Sequence, residues 1–201
     1  MTRRDRIPQL GGATALVLHK PHANASAILR QLAAIGLDGA ECWPELPGSA
    51  LAADFLFFDA DLCFDAQFPW TPGEAPMPLI ALVGSEAPGR IEWTLSHRAD
   101  AHLVKPVGAA GIYSALLIAR QGFDLRQRQL REIADLKRQI GERRTIVTAT
   151  LILMQGGKSE HDAFAALRQL AMSWQITLEE AARRVCDLKN GEDRRDGSYR
   201  H

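Results

Sequence analysis

The sequence predicts a doubly wound α/β domain built on a parallel sheet, followed by a long coiled-coil helix and a small three-helix bundle. Three observations carry this expectation. Five short apolar runs alternate with helix and turn signals between residues 13 and 104. A polar, proline-free stretch over residues 123–144 then carries apolar residues at three- and four-residue steps. Near the end, Ser159 and Thr177 each stand three places before an acid and open an apolar helical stripe.

Residues 13–19 form the first strand, an apolar run with β-branched content. After Pro21, a helix over Ala23–Ile35 places Ile28, Leu29, Leu32 and Ile35 on one side and stops at Gly36, where a left-handed turn costs nothing. Strands follow at residues 39–43, 55–58, 78–83 and 101–104. Their continuous apolar character marks a sheet covered on both faces, which suits parallel strands. Five such strands fit the flavodoxin-like order 2-1-3-4-5. One crossover departs from the pattern. Residues 59–78 contain four prolines and poor helical periodicity, so the third crossover helix is expected to be short or missing.

In the polar stretch Leu125, Ile133, Leu136 and Ile140 form an apolar seam, with Gln129 at a seam position and charged residues on the flanks. This predicts a parallel homodimer held by residues 121–145. About three heptads are marginal alone, so the flanking domains must contribute. Residues 146–154 fit strand and helix alike, because β-branched Thr and Val interrupt the helical spacing. Beyond them, the stripes Ala163, Phe164, Leu167, Leu170, Ala171, Trp174 and Leu178, Ala181, Ala182, Val185, Leu188 predict two amphipathic helices.

The charge balance is zero overall, but nine Lys/Arg face twelve Asp/Glu in residues 1–120 and fifteen face twelve in the remainder. The basic half is the better candidate for phosphate contact. Three scattered cysteines, Cys42, Cys63 and Cys186, give neither a disulfide framework nor metal spacing, which suits a reducing cytoplasm. No apolar run is long enough for a membrane span. Phosphate-loop, nucleophile-elbow and His-Glu-x-x-His motifs are absent, the six His are scattered, and neither enzyme, metal nor cofactor is indicated.

Two stretches carry family resemblances. Residues 53–59 resemble the receiver-domain strand that presents the phosphoacceptor, which places Asp59 in that role, and residues 99–106 resemble the strand presenting the essential lysine, here Lys105. The other parts are replaced: His19 and Lys20 stand where two acids hold Mg²⁺, and Val83 stands where a hydroxyl belongs. A lone Asp among cations cannot build that metal site, and an ion pair of Asp59 with Lys105 or Lys20 is expected instead. The series Ile146, Ala149, Leu151-Ile152-Leu153-Met154, Ala163-Phe164, Leu167-Arg168, Ala171-Met172, Leu178, Ala182, Val185 resembles the ANTAR domain, whose first segment is a helix and which binds paired stem-loops in nascent mRNA. The usual basic residue after the first Ala is Thr150 here. The resemblance implies RNA contacts at Ala149, Thr150, Leu153, Met154, Ala163, Arg168 and Met172.

The order of receiver-like domain (13–120), coiled coil (121–145) and ANTAR-like module (146–190), with flexible tails at 1–12 and 191–201, resembles the AmiR/NasR type of transcription antiterminator. Cys42-Trp43-Pro44 and Leu151 to Gln155 extend the likeness to its amidase-operon members. That resemblance implies three partners: a nascent leader RNA, a second copy of the chain, and a sequestering regulator resembling a solute-binding protein. Control would then pass through that protein and not through phosphate. The alternative is a DNA-binding response regulator with a helical output domain, but the C-terminal helices lack a run of Asn, Gln and Arg suited to major-groove readout.

Overall fold

The computed structural model describes residues 10–197, with side chains through residue 190. The chain divides into two compact units between Arg128 and Gln129. In the first unit, strands β1 (Thr14–Leu18), β2 (Asp38–Cys42), β3 (Phe55–Asp59), β4 (Leu79–Val83) and β5 (Ala101–Val104) form one sheet. Every neighbouring pair is parallel and the order is β2-β1-β3-β4-β5, the arrangement expected from the apolar runs.

The strand alternation explains how both faces are filled. Val17, Phe55, Phe57, Ile80 and Leu82 pack on one side under helix α1 (Ala23–Ile35) and the start of α3 (Ile112–Met154). Leu18, Leu56, Phe58, Leu79 and Ala81 pack on the other, with Trp93 of α2 (Pro88–Ser96) against them. Each of the Val, Leu, Ile and Phe side chains among these, fully removed from water, contributes on the order of 1.5–3 kcal/mol. Helix α1 ends where expected, at Gly36 with φ 90°.

The third crossover carries only a 3-10 turn at Asp65–Gln67. The vacated side of the sheet is filled by aromatic side chains: Phe68 packs edge-on against Phe58, stacks on Trp70 and contacts His97. The second crossover is reduced in the same way, to the 3-10 turn Gly48–Ala52, which the expectation of alternating strands and helices did not include. Pro44, Pro47 and Gly48 leave too few helix-forming residues there.

Helix α3 runs without a break through Gly122 and Gly141, so the last helix of the receiver-like domain, the connector and the first helix of the C-terminal module are one element. The ambiguous residues 146–154 are therefore helical, as the family resemblance implied. The second unit adds α4 (Glu160–Trp174) and α5 (Leu178–Gly197) around Ala149, Leu167, Ala171, Ala181, Ala182 and Val185. Alanine at these contacts lets three helix backbones approach closely. Ser159 Oγ accepts from the Asp162 backbone N–H at 3.2 Å, and Thr177 Oγ1 accepts from that of Glu180 at 3.2 Å. The Asp162 carboxylate accepts from the Ser159 hydroxyl at 2.7 Å.

Leu10 belongs to the buried core and α5 continues to Gly197, so the expected flexible tails at 1–12 and 191–201 include ordered residues at both ends. Residues 1–9 and 198–201 lie outside the described residues.

Candidate functional site

The receiver-like pocket lies at the C-terminal ends of β1, β3, β4 and β5, where a doubly wound sheet places its sites. Asp59 ends β3 and is only 3% exposed. One of its oxygens accepts from Lys105 Nζ at 2.6 Å and from the Asp61 backbone N–H at 3.0 Å. The other lies 3.3 Å from His19 Nε2. His19 Nδ1 sits 2.6 Å from the Lys20 carbonyl, which only accepts, so Nδ1 carries a proton.

Lys20 itself is exposed and contributes its carbonyl, so of the two expected ion-pair partners Lys105 is the one that engages Asp59, with His19 as the second contact. Val83 is buried at the end of β4 and offers no hydroxyl.

Asp61 is a member of this site that the sequence reading missed. Lys105 Nζ lies 2.7 Å from its carboxylate, Gly84 N–H donates to it at 3.0 Å and Ser85 N–H at 3.1 Å, and Arg90 approaches at 3.4 Å. Partial desolvation pushes the Asp61 carboxyl upward. The Lys105 hydrogen bond and charge, with the Ser85 and Gly84 N–H groups, outweigh it and hold the group below the usual carboxylate range. The signal available was the Asp59-Ala60-Asp61 spacing, which puts a second acid one turn of loop beyond the first.

A receiver's Mg²⁺ does not fit these donors. An imidazole and a lysine follow β1 where two carboxylates are needed, and the ammonium of Lys105 bridges the two acids that remain.

In the second unit the expected RNA contacts separate into two groups. Ala149 and Ala163 are 0% exposed and Thr150 is 6% exposed. They pack helix against helix and are corrected from contact residues to core residues. The Thr150 hydroxyl donates to the Ile146 carbonyl at 2.9 Å. Leu153 and Met154 are half-buried. Arg168 and Met172 remain exposed on α4, Met172 at 76%. Phe164, not named among the expected contacts, completes a stripe at four-residue spacing, and the Arg168 guanidinium lies over its ring at 5.8 Å. Along α3, the seam residues Leu125, Ile133, Leu136 and Ile140 are each about half exposed or more.

Two family models match the chain in succession: the AmiR N-terminal family over residues 13–120 and the ANTAR domain over residues 134–185. The chain belongs to the AmiR/NasR-type antiterminators. Members of this family are RNA-binding regulators of transcription antitermination, and both matched domains are regulatory and not enzymatic.

Among solved structures, the first receiver domain of ShkA in complex with c-di-GMP is 24% identical, with a TM-score of 0.43, 55% of this chain and 95% of that one being covered. The signal receiver domain of a modulated diguanylate cyclase from Desulfovibrio desulfuricans G20 is 15% identical, with a TM-score of 0.45, covering 57% and 98%. A response regulator from Thermotoga maritima is 15% identical, with a TM-score of 0.40, covering 53% and 98%. No curated protein matches the chain significantly. Among the described residues of this AmiR/NasR-type chain, no helix is long and apolar enough to cross a membrane.

Proposed function

We propose that this chain works in the cytoplasm as a homodimer that grips stem-loop RNA in a nascent leader transcript. Its activity is set by a sequestering partner resembling a solute-binding protein, and not by phosphorylation. The observation that carries the regulatory part is the engagement of one Asp59 oxygen by Lys105 and the Asp61 N–H, with the buried His19 ring 3.3 Å from the other oxygen where a receiver has an acid. A phosphoryl group needs a free carboxylate oxygen and a metal to neutralise its charge. Control by protein contact takes the place of that chemistry. Leu62 and Phe64 on the shortened third crossover, with Leu95 and Val104 on α2 and β5, supply exposed apolar surface for such a contact.

RNA contact is assigned to the exposed face of α4. Phe164 and Arg168 offer a ring and a planar cation on which unstacked loop bases can lie, and Arg168 also serves as a phosphate contact. Single-round transcription through the chain's own leader and terminator tests the whole reading. Read-through should rise with added protein, stay level when a small phosphodonor and Mg²⁺ are supplied, and fall when the sequestering partner is added. Read-through that requires the phosphodonor contradicts it.

A further inference from the structure

Four donors at the C-terminal end of the sheet converge on one carboxylate that the chain itself supplies. Gly84 N–H donates to Asp61 at 3.0 Å and Ser85 N–H at 3.1 Å, both from the connection between β4 and α2. Lys105 Nζ lies 2.7 Å from the same carboxylate, and Arg90 Nη1, from the first turn of α2, lies 3.4 Å away. Two backbone N–H groups and two side-chain cations around one point make a seat for an oxyanion, with charge and directed hydrogen bonds acting together. The seat is built down to the backbone. A Cβ at residue 84 would collide with the Asp61 carboxylate and stand 3.2 Å from Lys105 Cε, so the anion comes this close only because residue 84 is glycine. Asp59 accepts from the Asp61 backbone N–H at 3.0 Å, which fixes the start of the loop carrying the second acid.

We infer that these donors form an oxyanion site of the phosphate class, filled permanently by the tethered Asp61 carboxylate, which holds the β4–α2 connection in its anion-bound arrangement. The charges favour this. With Asp61 in place, Asp59 and Asp61 face Lys105 and Arg90, and the two signs balance. Without the Asp61 carboxylate, Asp59 alone faces both cations, and the exposed Lys20 lines the same pocket of about 480 Å³. His19 and His22 line it as well and add no negative charge. Room and net positive charge for a free phosphate then exist where the attached carboxylate now sits. Tethering gives that carboxylate a high effective concentration at the seat, so a dilute anion from solution does not displace it. The two N–H groups belong to the segment that enters α2, so a filled seat also sets where that helix begins, and with it the position of the exposed Leu95. This holds independently of the RNA and of any sequestering partner.

Inorganic phosphate and the full-length protein test this. Asp61→Ala empties the seat, and Asp61→Ser keeps a polar side chain on the loop should the alanine variant fail to fold. Both are compared with the unaltered chain in a zwitterionic buffer at neutral pH. Resonances and hydrogen exchange of the Gly84 and Ser85 amides report the loop, and denaturant midpoints report linked binding. Each variant should lose protection at these two amides. Added phosphate should restore it, binding at least about tenfold more tightly than to the unaltered chain. The variants' denaturant midpoints should rise with phosphate by more than the unaltered chain's, and by more than in chloride of equal ionic strength. Adding Gly84→Ala to Asp61→Ala should cancel the phosphate response, because the new Cβ takes the seat. Failure of phosphate to restore the two amides in a folded variant overturns the assignment. So does a phosphate response that survives the added Gly84→Ala, since the anion then binds elsewhere.

Discussion

Lys105 Nζ lies 2.6 Å from Asp59 and 2.7 Å from Asp61, so one ammonium bridges the two acids at the end of β3. In a receiver that lysine answers to a phosphoryl group. Here its charge is committed to carboxylates, and His19 closes the opposite side of Asp59 at 3.3 Å. Lys105 thus joins both acids in one set of ion pairs, at the C-terminal end of a sheet whose five-strand parallel order is kept.

Incubation with a small phosphodonor and Mg²⁺ is therefore expected to add no mass to the intact protein. His19→Asp with Lys20→Asp restores two acids after β1 and is the variant most suited to regain Mg²⁺ affinity. Stoichiometric labelling of the unaltered chain that vanishes in Asp59→Ala contradicts the closed-site description.

The depressed Asp61 carboxyl gives a pH dependence. A group whose folded value lies below its unfolded value of 3.8 adds stability above that value and loses it as pH falls through the folded one. Asp61→Asn should thus cost about 1–3 kcal/mol at neutral pH. The difference from the unaltered chain should shrink below about pH 4, as read by denaturant midpoints. Equal destabilisation at pH 3 and pH 7 would show that packing and not charge is at work. Gly84→Ala should act in the same direction, since a Cβ there collides with the Asp61 carboxylate.

Much of this was legible in the sequence because short parallel strands buried on both faces leave continuous apolar runs, and the prolines at 69, 72, 76 and 78 marked the missing third helix. Asp61 was not, because its partners come from Gly84 and Lys105, residues that only the parallel pairing of β3, β4 and β5 brings near. Ala149 and Ala163 were assigned to RNA by resemblance. Small residues recurring at helical spacing are a packing signal, and the structure uses them as one. The continuity of α3 was half visible: nothing in residues 123–144 stops a helix, but the β-branched run after Thr145 hides that the helix goes on.

Placing lysine at both Ile133 and Leu136 should split the dimer. Both side chains are about half exposed in the single chain, so the monomer's own unfolding should change by no more than about 0.5 kcal/mol. Each loses an apolar contact worth on the order of 1.5–3 kcal/mol when fully buried between two copies. Sedimentation velocity reads the first effect and thermal melting the second. A double variant that remains dimeric moves the interface to the receiver-like unit.

Arg168→Ala should weaken stem-loop binding and lower the slope of log affinity against log salt by about 0.7–0.9, the share of one phosphate contact. Arg168→Lys should restore the slope but not the full affinity, because an ammonium does not stack over the Phe164 ring as a guanidinium does. An unchanged slope in Arg168→Ala places the phosphate contact elsewhere on the module.

Most directly, the central claim is tested by titrating the full-length protein, at one stated salt concentration, against its upstream leader RNA with paired stem-loops and against duplex DNA of the same sequence. The leader RNA should bind at least about tenfold more tightly, and single stem-loops should bind more weakly than the pair because the second contact gains from effective concentration. Tighter binding to the duplex DNA would contradict an RNA-directed antiterminator.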